Sequence, residues 1–153
     1  MTEMNLQTAA SVISCVSKIE QASAGLYEHG ADLHPELKGA FFAFAKENRK
    51  HESNVRRAYY NIVSDALETG FCFDLAVDTM LTSPVLPDEA SSLEILQAFI
   101  RLEGEIRRFY EKAAAQSKSL LADVARAMER VAKARAEREK ELQKLLDAAK
   151  GDS

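Results

Sequence analysis

The chain lacks tryptophan and contains only three prolines and six glycines among its 153 residues. Proline and glycine are the residues that most strongly interrupt helices, so their scarcity favours long helical segments. Alanine, glutamate, lysine and arginine are abundant, and helices prefer these residues. Strand-like alternation of apolar and polar residues extends over only a few positions. The sequence therefore predicts an all-α protein.

The chain also has only two cysteines and no excess of positive charge. Cys15 and Cys72 lie far apart, without the paired spacing of a zinc module, and we interpret both as reduced structural thiols. The net charge of −4 argues against a nucleic-acid partner, because phosphate binding relies on a basic surface.

Long apolar runs are missing from the sequence, so no segment is predicted to span a membrane. The first residues lack the basic start and continuous apolar segment of a signal peptide. We therefore expect a cytoplasmic protein without membrane association. The length predicts a single domain over residues 1–153.

Helical periodicity divides the chain into four long segments. The first extends from about Asn5 to His29 and ends at Gly30. The second opens at Pro35, which suits a first helical turn, and continues until Gly70.

The third segment begins at Ser91, which has capping-box spacing with Glu94, and extends to about Lys118. The fourth follows almost at once and ends near Lys150. Its heavy charge would also suit a coiled-coil arm, but its apolar stripe weakens in the middle, which favours a bundle helix with one solvated face.

The link between the second and third segments has roughly twenty residues, more than most helix connections. Within it the sequence predicts a short helix over Phe73–Leu81. A long link lets the chain cross the length of a bundle, so we predict two helical hairpins joined by a crossover.

A carboxylate interrupts the apolar stripe of the first and third segments at equivalent positions. Glu20 lies in KIEQASAGLY and Glu103 in RLEGEIRRFY, each seven residues before a tyrosine. This repeat suggests an internal duplication. Buried carboxylates are costly unless they are paired, metal-bound or protonated, so two equivalent copies indicate a site.

The other two segments also place polar residues on their inward stripes. These are Asn48 and His51 on the second segment, and Arg135 and Glu139 on the fourth. Carboxylates and a histidine that converge from different helices usually hold a metal ion. The tyrosines Tyr59, Tyr60 and Tyr110 are interpreted as packing residues.

Two stretches carry a family resemblance. IEQASAGLYEHGADLHPELKGAFFAFAKENRKHE resembles the first hairpin of the ferritin-like superfamily, specifically its rubrerythrin branch, and LEGEIRRFYEKAAAQ resembles the start of its second hairpin. The resemblance implies an antiparallel four-helix bundle with one crossover. It also implies two irons held by a Glu on helices one and three and a Glu-x-x-His on helices two and four. Glu20, Glu103 and His51 match that pattern.

The chain departs from the pattern on two helices. Asn48 stands where the family has the bridging carboxylate of helix two, and helix four contains no histidine. The candidate positions on helix four are Ala132, Arg135, Ala136, Glu139 and Lys140. The resemblance therefore implies an incomplete two-iron site.

Three functions remain open at this point. The first is an atypical or mononuclear site for iron or another divalent metal, with Glu20, His51, Glu103 and Glu139 as ligands. The second is a metal-free scaffold or interaction protein, in which Arg135 and His51 pair with the glutamates and Asn48 joins the polar network. The third is an iron-dependent peroxidase or ferroxidase.

The family resemblance and the short third-to-fourth connection predict a homodimer. Its candidate contact is an exposed apolar stripe of the link, formed by Phe71, Phe73 and Leu81, because apolar linkers seldom stay in water. The sequence identifies no other protein partner.

Overall fold

The computed structural model describes residues 3–62, 73–118 and 121–151. Within these ranges the chain forms four long helices and a two-stranded sheet, so the predicted all-α class is confirmed in its main features. The helices are α1 (Ala9–Leu33), α2 (Lys38–Ile62), α3 (Ser92–Ser117) and α4 (Ala122–Gly151). A 3₁₀ turn, Pro35–Leu37, precedes α2.

Side-chain caps define where two of the helices begin. The predicted capping box is present at α3: the Glu94 amide donates to Ser91 Oγ at 3.2 Å, and the Ser91 amide donates to Glu94 Oε1 at 3.0 Å. Thr8 and Ser11 form a second capping box that starts α1 at Ala9. These contacts satisfy amides that have no partner within the first helical turn.

The predicted end of the first helix at Gly30 is wrong, because α1 continues to Leu33. Gly30 lies inside the helix, where a Cβ atom would come within 3.1 Å of the Phe41 ring. The glycine therefore serves close packing between α1 and α2 instead of ending the helix.

The short helix predicted over Phe73–Leu81 is also wrong. This part of the link forms β2 (Leu75–Asp78) and a 3₁₀ turn (Thr79–Leu81), and β2 pairs antiparallel with β1 (Glu3–Leu6). Leu75 and Val77 are buried while Ala76 is exposed, which is the alternation of a half-buried strand. The pairing joins residues far apart in sequence, so local periodicity could not reveal it.

Two residues of the dimer contact predicted in the link are buried in this chain. Phe73 is 3% exposed and Leu81 is 6% exposed, and both belong to an apolar core of this same chain. Phe71, Cys72 and the predicted helix end at Gly70 lie outside the described residues.

Two apolar clusters occupy opposite ends of the helices. The first cluster includes Val16, Ile19, Val55, Ile106 and Met128, and the second includes Tyr27, Phe41, Phe44, Phe99 and Leu142. Helices α1 and α4 therefore run from the first cluster to the second, while α2 and α3 run from the second to the first. Each helix is antiparallel to its partner within the packed pairs α1–α2 and α3–α4.

The link between α2 and α3 returns the chain from one end to the other. Leu81 belongs to the first cluster, and Leu86 packs against the second. This crossover makes α2 and α3 run in the same direction. None of the helices in the described ranges is long and apolar enough to cross a membrane.

Candidate functional site

A layer of buried polar side chains separates the two apolar clusters. Each residue of this polar layer is at most 7% exposed. Its members are Glu20 and Ser23 of α1, Asn48 and His51 of α2, Glu103 of α3, and Arg135 and Arg138 of α4. All four helices therefore contribute polar groups at one level of the interior.

Arg135 lies between the two glutamates. Its Nη2 atom donates to Glu20 Oε1 at 2.6 Å, and its Nη1 atom donates to both carboxylate oxygens of Glu103, at 2.7 and 2.9 Å. A planar guanidinium presents its donors in a fixed fork that can engage carboxylates on two sides. The side chains of all three residues are almost fully buried.

Arg138 supplies a second positive charge to the layer. Its Nη1 atom donates to Asn48 Oδ1 at 2.6 Å and to Glu103 Oε1 at 3.1 Å, and its Nη2 atom donates to Glu47 Oε1 at 2.6 Å. The guanidinium carbon lies 4.9 Å from the centroid of the Phe44 ring, within cation–π range. The two arginines thus balance the charges of Glu20 and Glu103.

Two tyrosines donate further hydrogen bonds to the buried glutamates. Tyr27 donates to Glu103 at 2.7 Å, and Tyr110 donates to Glu20 at 2.8 Å. Burial, followed by the charge of the nearby carboxylate, raises the pKa of each tyrosine well above 10. Both phenols therefore stay protonated and act as hydrogen-bond donors.

Glu20 remains ionised in spite of its burial. Burial by itself would raise its pKa, but the charge of Arg135, its hydrogen bonds and the nearby His51 lower the pKa to about 2. Burial also opposes the charge of Arg135, yet Glu103 and Glu20 raise its pKa well above its ordinary value. The pair is therefore a true ion pair at neutral pH.

His51 lies at the edge of this network. Its Nδ1 atom is 3.8 Å from Glu20 Oε1, and its Nε2 atom is 3.8 Å from Glu47 Oε1. Nδ1 is buried and has no hydrogen-bond partner among the residues that the structure describes. Asn48 Nδ2, in contrast, donates to Ser23 Oγ at 2.9 Å.

The structure brings most of the predicted site residues together but separates Glu139 from them. Glu20, His51, Glu103, Asn48 and Arg135 belong to the polar layer. Glu139 is partly exposed and accepts a 2.7 Å hydrogen bond from Arg107 Nε. The sequence predicts Glu139 as a ligand beside Glu20 and Glu103, whereas the structure pairs its carboxylate with Arg107.

Sequence reasoning missed Arg138 and the two tyrosines, and it took Tyr110 for a packing residue. One signal was available for Arg138. It follows Arg135 by three residues, the same spacing as Asn48 and His51, and residues three apart lie on one face of a helix. The equal Glu-to-Tyr spacing in the two repeats likewise pointed to a shared role.

These residues do not fit a two-iron centre. Arg135 places a guanidinium between the two carboxylates, where its positive charge would repel a metal ion. No group of three or more His, Cys, Asp or Glu side chains suited to holding a metal ion occurs among the described residues. The arrangement instead forms a set of ion pairs in which both buried carboxylates are already bound by donors.

The buried thiol of Cys15 offers no reactive alternative. Burial raises its pKa to about 11, against a smaller opposing effect of Lys18. The thiol therefore stays protonated at neutral pH, and a protonated thiol is a poor nucleophile.

Comparisons with family models, with curated proteins and with solved structures found no match.

Proposed function

We propose that this chain is a ferritin-like four-helix bundle in which arginines have replaced the metal ions, and that it acts as a metal-independent scaffold or binding protein. The helix directions support the bundle. Helices α1 and α4 run one way, α2 and α3 run the other way, and the long link crosses between the ends. A bundle with one long crossover connection has this order of directions.

The positions of the polar residues support the same ancestry. Ferritin-like metal sites use a Glu from each of two helices and a Glu-x-x-His from each of the other two. Here α1 and α3 carry Glu20 and Glu103, α2 carries Asn48-x-x-His51, and α4 carries Arg135-x-x-Arg138. Polar residues occupy the positions of the family pattern on all four helices. Asn48 on α2 and both arginines on α4 differ in type from that pattern.

The single observation that carries the proposal is the position of Arg135 between Glu20 and Glu103. Two buried carboxylates repel one another and lose their hydration, so they need a cation between them. A guanidinium fixed to the chain supplies that cation without any bound ion. The bundle then needs no metal to fold. The position also lacks the free ligands that a redox-active metal ion would require.

Elemental analysis and melting curves test this proposal. Protein purified from iron-supplemented culture should contain iron, manganese and zinc well below one ion per chain. Its melting temperature should be unchanged by chelator, and it should not consume peroxide in an iron-dependent manner. A stoichiometric metal whose removal by chelator lowers the melting temperature would refute the proposal.

The homodimer stays a prediction. Among the described residues of the link, Met80 and Val85 are the large apolar side chains that are exposed, at 55% and 84%, and they could form such a contact. Light scattering at high protein concentration is expected to give twice the chain mass, and substitution of both residues by serine should shift it towards the monomer. A monomeric mass for the unchanged protein would exclude this prediction.

A further inference from the structure

A cleft between α2 and α4 opens beside the polar layer. Its volume is about 640 Å³, within the range of small-molecule sites. From α2 it is lined by His51, Asn54 and Arg57, and from α4 by Asp123, Arg126 and Arg130. The remaining lining residues are small or apolar.

The cleft concentrates positive charge on a chain whose net charge is −4. Asp123 accepts a hydrogen bond from Arg126, which neutralises one of the three arginines. Arg57 and Arg130 are exposed, and neither forms an ion pair within the part of the chain that the structure describes. Two arginine side chains therefore line the same cavity without an acidic partner among the described residues.

One lining residue links the cleft to the interior. His51 lines the cavity although the residue is only 7% exposed. Its buried Nδ1 atom lacks a hydrogen-bond partner among the described residues. That nitrogen lies 3.8 Å from Glu20 Oε1, so the His51 ring connects the cleft to the polar layer.

A basic surface extends from the cleft along α2. Lys46, Arg49, Lys50 and Ser53 line an adjoining shallow groove that shares Asn54 and Arg57 with the cleft. Arg49 is paired with Glu28 at 3.0 Å, while Lys46 and Lys50 are exposed. This strip would attract an anion towards the unpaired arginines of the cleft.

We propose that this cleft binds a small organic phosphate of the di- or triphosphate class, with Arg57 and Arg130 as its main ligands. Arginine presents planar paired donors that match phosphate oxygens. The limited volume of the cleft favours a small ligand. A long polyanion would extend beyond the cleft and meet the acidic surface of a chain whose net charge is −4. The inference extends the proposed binding role of the protein. It can fail while the metal-independent bundle stands, because the metal tests do not involve the cleft.

Calorimetric titration with inorganic tripolyphosphate tests the cleft. We expect one site per chain, with an affinity that falls as sodium chloride rises. The double variant Arg57→Gln/Arg130→Gln should weaken binding by at least about tenfold, since it removes both unpaired guanidinium groups. The control Arg101→Gln, which removes an exposed arginine outside the cleft, should leave the affinity within about twofold.

Melting curves separate loss of the site from loss of the fold, and a longer anionic probe tests binding of a polymer. The double variant should keep the melting temperature of the unchanged protein, since both arginines are exposed. Equal weakening by the double variant and the control would refute the site, as would the absence of binding by the unchanged protein. Tighter binding of a single-stranded oligonucleotide, lost equally on Lys46→Gln and Lys50→Gln, would also refute it and indicate a polymer-binding strip instead.

Discussion

The hydroxyl group of Tyr27 on α1 donates a 2.7 Å hydrogen bond to Glu103 on α3. The reverse contact also exists, from Tyr110 on α3 to Glu20 on α1. Each tyrosine of the repeated motif thus binds the glutamate of the other copy. The two contacts join helices that belong to different hairpins, through groups that are almost fully buried.

We expect Tyr27→Phe and Tyr110→Phe each to lower the free energy of unfolding by about 1.5–3 kcal/mol, because each removes a donor to a buried carboxylate. Denaturant melts would measure the change. Tyr60→Phe is the matched control, because Tyr60 is 63% exposed, and its effect should stay within about 0.5 kcal/mol. Equal effects at Tyr27, Tyr110 and Tyr60 would contradict the assigned role of the buried hydroxyls.

Arg135→Met should destabilise the fold by about 3–5 kcal/mol, because it leaves buried carboxylates without their cation. The double variant Glu20→Gln/Arg135→Met should be less destabilised than Arg135→Met, since Glu103 keeps Arg138 as its partner at 3.1 Å. Denaturant melts of both variants, with and without chelator, would measure this. The ion-pair interpretation fails if Arg135→Met is neutral while chelator destabilises the unchanged protein.

The depressed pKa of Glu20 predicts a loss of stability in acid. Its folded-state pKa of about 2 lies below the ordinary value of 4.5. The contribution of ionised Glu20 is therefore fully present above pH 4.5 and is lost as the pH falls towards 2. Arg135, His51 and Tyr110 are the titratable groups that contact this carboxylate.

Denaturant melts of the unchanged protein and Glu20→Gln between pH 6 and about pH 3 would check this behaviour. The difference between the two free energies of unfolding should stay constant down to about pH 4.5 and shrink below it, because the amide does not titrate. A difference that stays constant over this range would show that Glu20 is not held ionised by Arg135.

The proposed ancestry predicts that a metal site can be restored. Asn48→Glu/Arg135→Glu/Arg138→His would recreate a Glu on two helices and a Glu-x-x-His on the other two. We expect this triple variant, refolded with cobalt(II), to show visible absorption from the bound ion and a raised melting temperature.

Asn48→Glu alone is the control for that experiment, since it keeps both guanidinium groups in the layer and should bind no cobalt. A triple variant that folds yet gives no cobalt spectrum would argue against the ferritin-like arrangement. Melting temperatures with and without the ion would separate that result from a failure to fold.

The helices could be predicted because local features specify them. The Ser91–Glu94 capping box was visible as a spacing, and helical periodicity assigned Glu20, Glu103 and His51 to inward faces. The inward position of Arg135 followed from the same pattern. Periodicity depends only on residues within a few turns, which is why the sequence by itself determined these features.

Only the tertiary structure decided how these groups are paired. Arg138 enters the polar layer while its neighbour Glu139 turns to Arg107, and consecutive helical residues differ by about 100° in direction, so the choice depends on the packed helices. The exchange of tyrosines between α1 and α3 joins residues 76 and 90 positions apart in the sequence. The β1–β2 pair likewise joins distant segments. Contacts of this kind are set by where whole elements lie in space, and that information is not carried by any local pattern of residues.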